Sequence, residues 1–183
     1  MPGYNGTPYI CTDRLLLRRF EVSDFHDMYR NWASDERVTR YLKWQVHKDE
    51  NETKSLLENW TAAYISNTVC NWAMEYKGHV IGNISVVSAD IKNNTAELGY
   101  CMGYDYWNKG LMTEAAKAVI HYLFIDVGVN RIVIQHATAN PASGKVAQKC
   151  GMILEGTQRE AYLKNGEYLD INMWSLLRKE YRE

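Results

Sequence analysis

Glu97-Leu98-Gly99-Tyr100-Cys101-Met102-Gly103-Tyr104-Asp105-Tyr106-Trp107-Asn108-Lys109-Gly110-Leu111-Met112-Thr113-Glu114-Ala115 is the stretch that decides the reading of this chain. The apolar run Leu98 to Met102 is expected to be a strand, Asn108-Lys109-Gly110 a tight turn, and Leu111 the start of a helix. The first amides of a helix lack internal partners and carry partial positive charge, which suits an anion. Gly110 lets backbone approach such an anion, and Lys109 adds a mobile cation. The segment therefore reads as a pyrophosphate cradle. The same junction also occurs as a plain connection that binds nothing. Neither G-x-x-x-x-G-K-[ST] nor G-x-G-x-x-G is present, so the common nucleotide loops are excluded.

Working outward, the elements alternate in kind. Leu15 to Phe20 reads as a strand. Ser23 or Asp24 caps a helix through about Trp32, a short helix follows Ser34, and Asp49 to Ile65 forms a longer one. Its apolar stripe is Leu56, Leu57, Trp60, Ala63 and Tyr64. The texture then changes to period two. Asn71–Tyr76 and His79–Val87 flank a Lys77-Gly78 hairpin turn, and Ala96–Met102 is a third strand. The helix from Leu111 runs to Val127 with Leu111, Ala115, Ala118, Tyr122 and Ile125 on one face, and Gly128 caps it. Arg131–Thr138 is a strand, and Asn140-Pro141-Ala142-Ser143 opens a helix that ends at Lys149-Cys150-Gly151. Strands near Met152–Tyr162 and Tyr168–Leu177 close the chain around Asn165-Gly166. This order predicts a mixed α/β sheet in a single domain over residues 12–183, after a loose lead-in at 1–11.

Composition narrows the function. The chain has 183 residues, with 21 Lys plus Arg against 22 Asp plus Glu, a net charge of −1. That argues against direct nucleic-acid binding and against a grip on an anionic membrane. No stretch approaches the roughly 18 apolar residues of a membrane span. Cys11, Cys70, Cys101 and Cys150 form no C-x-x-C pair and cluster with no His, so no metal is expected. No secretion signal opens the chain, which makes the cytoplasm the expected compartment, with free, mostly buried thiols.

Four segments resemble the GNAT superfamily of acyl-CoA-dependent N-acetyltransferases, within it the branch of the ribosomal-protein alanine and serine N-acetyltransferases. They are Thr12-Asp13-Arg14-Leu15-Leu16-Leu17-Arg18 with Asp24, Tyr106 to Ala115, Asn140 to Ser143 with Lys149-Cys150-Gly151-Met152, and Gly156 with Tyr162 to Asp170. The resemblance implies a mostly antiparallel central sheet flanked by helices, with two strands splayed in a V around acetyl-CoA. The general loop pattern of that superfamily is Q/R-x-x-G-x-G/A. Here Trp107 stands at the Gln/Arg position, as is usual in this branch, Asn108 where a further Gly is frequent, and Met112 at the final small position.

On that resemblance, backbone groups of Tyr100 and Met102 pair with the pantetheine arm. Amides from Asn108 through Lys109, Gly110, Leu111 and Met112 to Thr113 hold the pyrophosphate, with the Thr113 hydroxyl in reach. Lys145 or Lys149 would meet the adenosine phosphate, or both are solvated helix lysines. Asn140 and Ser143 cap a helix and approach the cofactor, Ser143 protonating the departing thiolate. The reaction is direct attack of a neutral amine on the thioester. A protein α-amine, pKa ~7.7–8.0, is roughly a tenth neutral at pH 7, whereas a lysine amine near ~10.4 is far less available.

Glu97 is the expected base, directly or through water, with Glu160 and Tyr162 as further acid–base candidates. Asp170 is expected to order the closing hairpin, and His136 to be a core histidine. Trp32, Tyr41, Trp44, Tyr64 and Tyr162 are candidate walls of an acceptor pocket.

The expected acceptor is a protein N-terminal α-amine. An alternative is a small amine (an aminoglycoside, a polyamine or an aminoacyl nucleotide), and Asp24, Asp27, Asp35 and Glu36 would supply an acidic pocket for a cationic one. A non-catalytic acyl-CoA sensor is the alternative of another class. An antiparallel edge and surface aromatics make a homodimer a candidate assembly.

Overall fold

The computed structural model describes residues 3–182. Met1, Pro2 and Glu183, at the ends of the expected lead-in and domain, lie outside the described residues. Among the described residues, eight strands form one open, mostly antiparallel sheet ordered β1-β2-β3-β4-β5-β6-β8-β7. The strands are β1 (Ile10–Cys11), β2 (Leu16–Arg18), β3 (Asn71–Tyr76), β4 (His79–Asp90), β5 (Thr95–Met102), β6 (Arg131–Ala137), β7 (Ile153–Lys164) and β8 (Glu167–Leu177). The helices are α1 (Phe25–Met28), α2 (Glu36–Thr39), α3 (Glu50–Ala63), α4 (Leu111–Tyr122) and α5 (Pro141–Lys149). Residue contacts cluster into two compact units. One is Tyr4–Ser85 with Tyr100–Ala118; the other is Val86–Gly99 with the chain from Val119 onward and Gly3.

In the first unit, β1 to β3 pair antiparallel in sequence with β4. The β3–β4 hairpin turns at Lys77 (φ 53°) and Gly78 (φ 80°), two left-handed residues as a two-residue primed turn requires. Asp49 caps α3, its carboxylate accepting from the amides of Asn51 (2.8 Å) and Glu52 (3.0 Å). Phe20, Met28, Trp32, Val38, Leu57, Tyr64 and Val80 form the core beneath.

Two expectations are corrected in this unit. The lead-in is not loose: Thr7 Oγ1 donates to Val69 O (2.8 Å), Trp72 Nε1 donates to Pro8 O (2.8 Å), and Ile10 pairs with Leu17. Polar residues there are anchored by partners some 60 positions away, which composition does not reveal. The strand expected over Leu15 to Phe20 shrinks to β2. At one end Leu15 closes a turn with Thr12, and at the other the Phe20 amide donates to Tyr64 Oη (3.1 Å).

In the second unit β5 and β6 are parallel, with registered pairs from Thr95↔Arg131 to Leu98↔Ile134; β6 pairs antiparallel with β8, and β8 with β7. A π-type segment, Leu123–Val127, follows α4 and ends at left-handed Gly128 (φ 83°), as expected of a cap. The single apolar face expected for the Leu111–Val127 segment is corrected. Met112, Ala116, Val119, Ile120, Leu123 and Phe124 are buried as well as Leu111, Ala115 and Tyr122, while Ile125 is exposed. A helix buried on more than one side loses the single stripe that periodicity detects.

Arg131 and Ser175 clamp Glu155: Nη1 and Nη2 of Arg131 donate at 2.7 and 2.5 Å, and Ser175 Oγ at 2.7 Å. The guanidinium first, then the hydroxyl, hold the carboxyl at about 2, well below its ordinary range. A depressed folded-state pKa stabilises above the unfolded value and is lost as pH falls toward the folded one. Glu155→Gln is therefore expected to lower the melting temperature near neutrality, and the gap to the parent to close between about pH 4.3 and about pH 2. Thermal melts across that range check this, and a gap constant with pH refutes it. The pair is partly exposed, so solvent keeps the effect small.

Among the described residues, no helix is long and apolar enough to cross a membrane, and no group of three or more His, Cys, Asp or Glu is placed to hold a metal. All four cysteines are free, and only Cys70 is fully buried, fewer than expected.

Candidate active site

The turn before α4 is built from left-handed residues. Asn108 has φ 59° and Gly110 φ 77°. Asn tolerates this backbone because its short polar side chain bonds locally, and Gly has no Cβ to clash. Alternating handedness turns successive N–H groups toward one side, the geometry of an anion nest. The Trp107 amide is already used, donating to Tyr104 O (3.0 Å). The Glu114 amide makes the first helical bond, to Gly110 O (3.0 Å). Among the described residues, the six amides between them, Asn108 to Thr113, donate to no protein acceptor. This is a ready site for phosphate oxygens. Lys109 Nζ lies 5.5 Å from the Tyr106 ring centroid.

The turn is held from outside. Arg14 Nη1 donates to Lys109 O (2.9 Å), and Arg14 Nε donates to Glu114 Oε2 (2.7 Å). Thr12 Oγ1 (2.6 Å) and the Arg14 amide (2.9 Å) both donate to Glu114 Oε1. Burial alone would raise the Glu114 carboxyl, but the bonds from Thr12 and Arg14 outweigh it and hold the carboxyl low. Thr12 and Arg14, which carry part of the family resemblance, thus have a role of their own in holding the turn. The one signal of it in the sequence is a Glu in the first turn of the helix after the loop.

Trp107 supports the turn from within. Its indole N–H donates to Met102 O (2.7 Å), and its ring packs on the core of its unit. With amide and indole both engaged, Trp107 contributes no donor to the cradle. One lone pair of the Met102 carbonyl is also taken.

Along β5 the side chains alternate. Ala96 and Leu98 are buried, and Glu97 between them faces the other side, half-buried. No hydrogen bond or ion pair engages its carboxylate among the described residues. Cys101, further along the strand, donates its S–H to Asn83 Oδ1 (2.9 Å), and burial pushes the thiol up to about 12. A thiol so protonated is no nucleophile at neutral pH, which disfavours a covalent cysteine route.

The start of α5 joins Asn140 and Ser143. The Asn140 side-chain oxygen accepts the Ser143 amide (3.4 Å), with Pro141 at the first helical position. In the closing hairpin Tyr162 pairs with Leu169, and Glu160, left-handed at φ 51°, sits in a bulge. The Glu160 amide donates to Asp170 Oδ1 (2.8 Å), so Asp170 orders the hairpin as expected. Lys145 and Lys149 are both exposed on α5.

Residues 14–153 match the acetyltransferase (GNAT) domain family. This chain belongs to that family. It is similar to an uncharacterized N-acetyltransferase, p20, of Bacillus licheniformis, 29% identical over 94% of this chain and 97% of the relative. The ribosomal-protein-serine acetyltransferase of Escherichia coli is 28% identical over 73% of this chain and 75% of its own. Among solved structures, the microcin C7 self-immunity acetyltransferase MccE, in complex with acetyl-CoA and AMP, superposes with a TM-score of 0.81 at 25% identity, covering 91% and 93% of the two chains.

The GNAT assignment makes this protein an N-acetyltransferase and directs attention to its acceptor side. Two of the candidate wall aromatics, Trp32 and Tyr64, are core residues. Trp32 is fully buried, and Tyr64 Oη bridges the Phe20 amide and Asn71 O (2.6 Å). His136 is likewise a core residue of this acetyltransferase. Its Nδ1–H donates to Ala137 O (2.8 Å), and its Nε2 accepts the Trp174 indole (3.0 Å). Of the four acids expected to serve a cationic substrate, the three aspartates are each paired with an arginine, and Glu36 stays exposed. Arg18 takes Asp24 (2.8 Å), Arg30 takes Asp27, and Arg37 takes Asp35 (2.6 Å).

Proposed function

We propose that this acetyltransferase uses acetyl-CoA to acetylate a protein N-terminal α-amine. The six acceptor-less amides of Asn108 to Thr113 carry the cofactor part of this proposal. They fit a diphosphate, whose oxygens need several convergent donors and gain from the helix dipole. Acetyl-CoA supplies an activated thioester, and the acceptor nitrogen displaces its sulfur. Backbone groups of Tyr100 and Met102 serve the pantetheine arm. Glu97, whose carboxylate has no hydrogen-bond or ion-pair partner among the described residues, accepts the proton that the amine must lose, directly or through one water. Ser143 donates a hydrogen bond to the sulfur as it departs and relays to it a proton from water, so that its own hydroxyl is restored in the same step. Asn140 fixes the helix start that carries Ser143.

An α-amine fits such a lightly armed site. Its pKa near ~7.7–8.0 leaves a usable neutral fraction at pH 7, so positioning supplies much of the rate. With Asp24, Asp27 and Asp35 each paired to an arginine, only Glu36 of the four candidate acids keeps an uncompensated charge for a polycation. The Escherichia coli relative, which acts on a ribosomal protein, supports the same acceptor class.

The test is thiol release from acetyl-CoA with short peptides beginning in Ser or Ala, set against spermidine and an aminoglycoside. Peptides are expected to turn over, and their Nα-blocked forms to be inert. Turnover of a small amine alone would overturn the acceptor assignment. Tight acetyl-CoA binding without turnover on any acceptor would favour a sensor.

A further inference from the structure

We propose that Arg14 is a positioning residue for the diphosphate: it orients the Gly110 amide and cancels the charge of Glu114, so that the cradle accepts an anion. This rests on the cradle assigned above. Arg14 has no part in the transfer chemistry, yet its whole guanidinium is committed to the turn. Nη1 binds Lys109 O at 2.9 Å, Nε and Nη2 bind Glu114 Oε2 at 2.7 and 2.6 Å, and a Cβ on Gly110 would lie 3.5 Å from Nη2.

Two physical consequences follow. In a planar trans peptide the C=O and the next N–H point in opposite directions. Holding Lys109 O toward Arg14 therefore aims the Gly110 N–H away from it, to the side where the neighbouring free amides lie. Without that bond the 109–110 peptide, which leads into left-handed Gly110, is free to flip and present a carbonyl to the anion.

The second consequence concerns charge. Glu114 lies in the first turn of α4, within the field of the helix terminus. A carboxylate there satisfies the dipole and competes with an incoming anion for it. Three donors keep Glu114 ionised, and of these only Arg14 brings a compensating positive charge. Its planar fork binds the carboxylate while Nη1 reaches the carbonyl, a double task that lysine cannot perform.

The experiment compares Arg14→Ala, Arg14→Lys and Arg14→Ala/Glu114→Gln with the parent. Calorimetry gives Kd for CoA, and kinetics give KM and kcat with acetyl-CoA and kcat/KM with S-acetylpantetheine, which lacks the diphosphate. Arg14→Ala is expected to weaken CoA by about tenfold or more and to raise KM for acetyl-CoA in parallel. Its kcat at saturation and its kcat/KM with S-acetylpantetheine should stay within about twofold of the parent. Arg14→Lys should recover part of the affinity through charge alone, and the double variant part of it by removing the stranded carboxylate.

Unchanged CoA affinity in Arg14→Ala would overturn the proposal, as would an equal loss on S-acetylpantetheine, which would mark general damage to the fold. A parent protein that binds no CoA would instead remove the cradle itself, and this inference with it.

Discussion

Glu97→Gln is expected to lower kcat on a peptide α-amine by about 10²–10⁴-fold near neutral pH, the range for loss of a general base. Affinity for CoA should not change, because the amides that would hold it lie beyond the strand, at Asn108 to Thr113. The size of the effect follows from what Glu97 lacks. With no ion pair or hydrogen bond among the described residues, its carboxylate is uncommitted in the resting protein. Gln keeps the shape and removes the proton acceptor.

The deficit should also depend on pH in one direction. The acceptor amine becomes neutral without help as pH rises past ~8. The parent-to-variant ratio should therefore shrink steadily as pH increases. A ratio that is flat with pH, or a variant with parental kcat, would remove Glu97 from the proton path and return attention to Glu160 or a water chain.

The largest expected loss of stability comes from Gly82→Ala. A Cβ at Gly82 would lie 2.4 Å from Cys101 O and 2.8 Å from Met102 Cα. Both atoms are backbone, so no rotamer change relieves the clash. They also belong to the end of β5, just before Gly103 donates its amide to Ile81 O (2.8 Å). The methyl must push the two chain segments apart, at a cost of about 3 kcal/mol or more. For a chain of this length that corresponds to a melting temperature lower by roughly 6–12 °C. Because Met102 O also anchors Trp107, KM for acetyl-CoA should rise in the surviving folded fraction. An unchanged melting temperature would mean that the close approach at Gly82 is dispensable.

Much of this architecture was legible in the sequence because local chemistry and tertiary structure agree. Lys77-Gly78 and Asn165-Gly166 adopt the left-handed turns that their composition suggests. Asn140 and Gly128 cap where they were expected to, whereas Asp49, expected inside its helix, caps it, and Asp24 makes no side-chain cap bond. The cradle was visible as a strand, turn and helix start within some fifteen residues. What escaped notice depends on distance along the chain or on competition between partners. The Arg14–Glu114 bond spans 100 positions, and no period or motif in one segment announces it. Asp24, Asp27 and Asp35 looked like free surface acids, because an arginine two, three or six residues away leaves no mark on hydropathy. Trp107 was read from its place in a motif, whereas its indole had a nearer demand to meet at Met102 O.

The clasp between Thr12, Arg14 and Glu114 also dates the site within the life of the chain. Its two halves are made a hundred residues apart. At ~5–20 residues per second, a ribosome leaves Arg14 waiting roughly 5–20 s for its partner. Synthesis completes the β3–β4 hairpin well before that, so folding of the amino-terminal half can begin without the turn that is meant to hold a diphosphate. The ability to bind is thus acquired late, when the helix carrying Glu114 has emerged and closes against an arginine already in place.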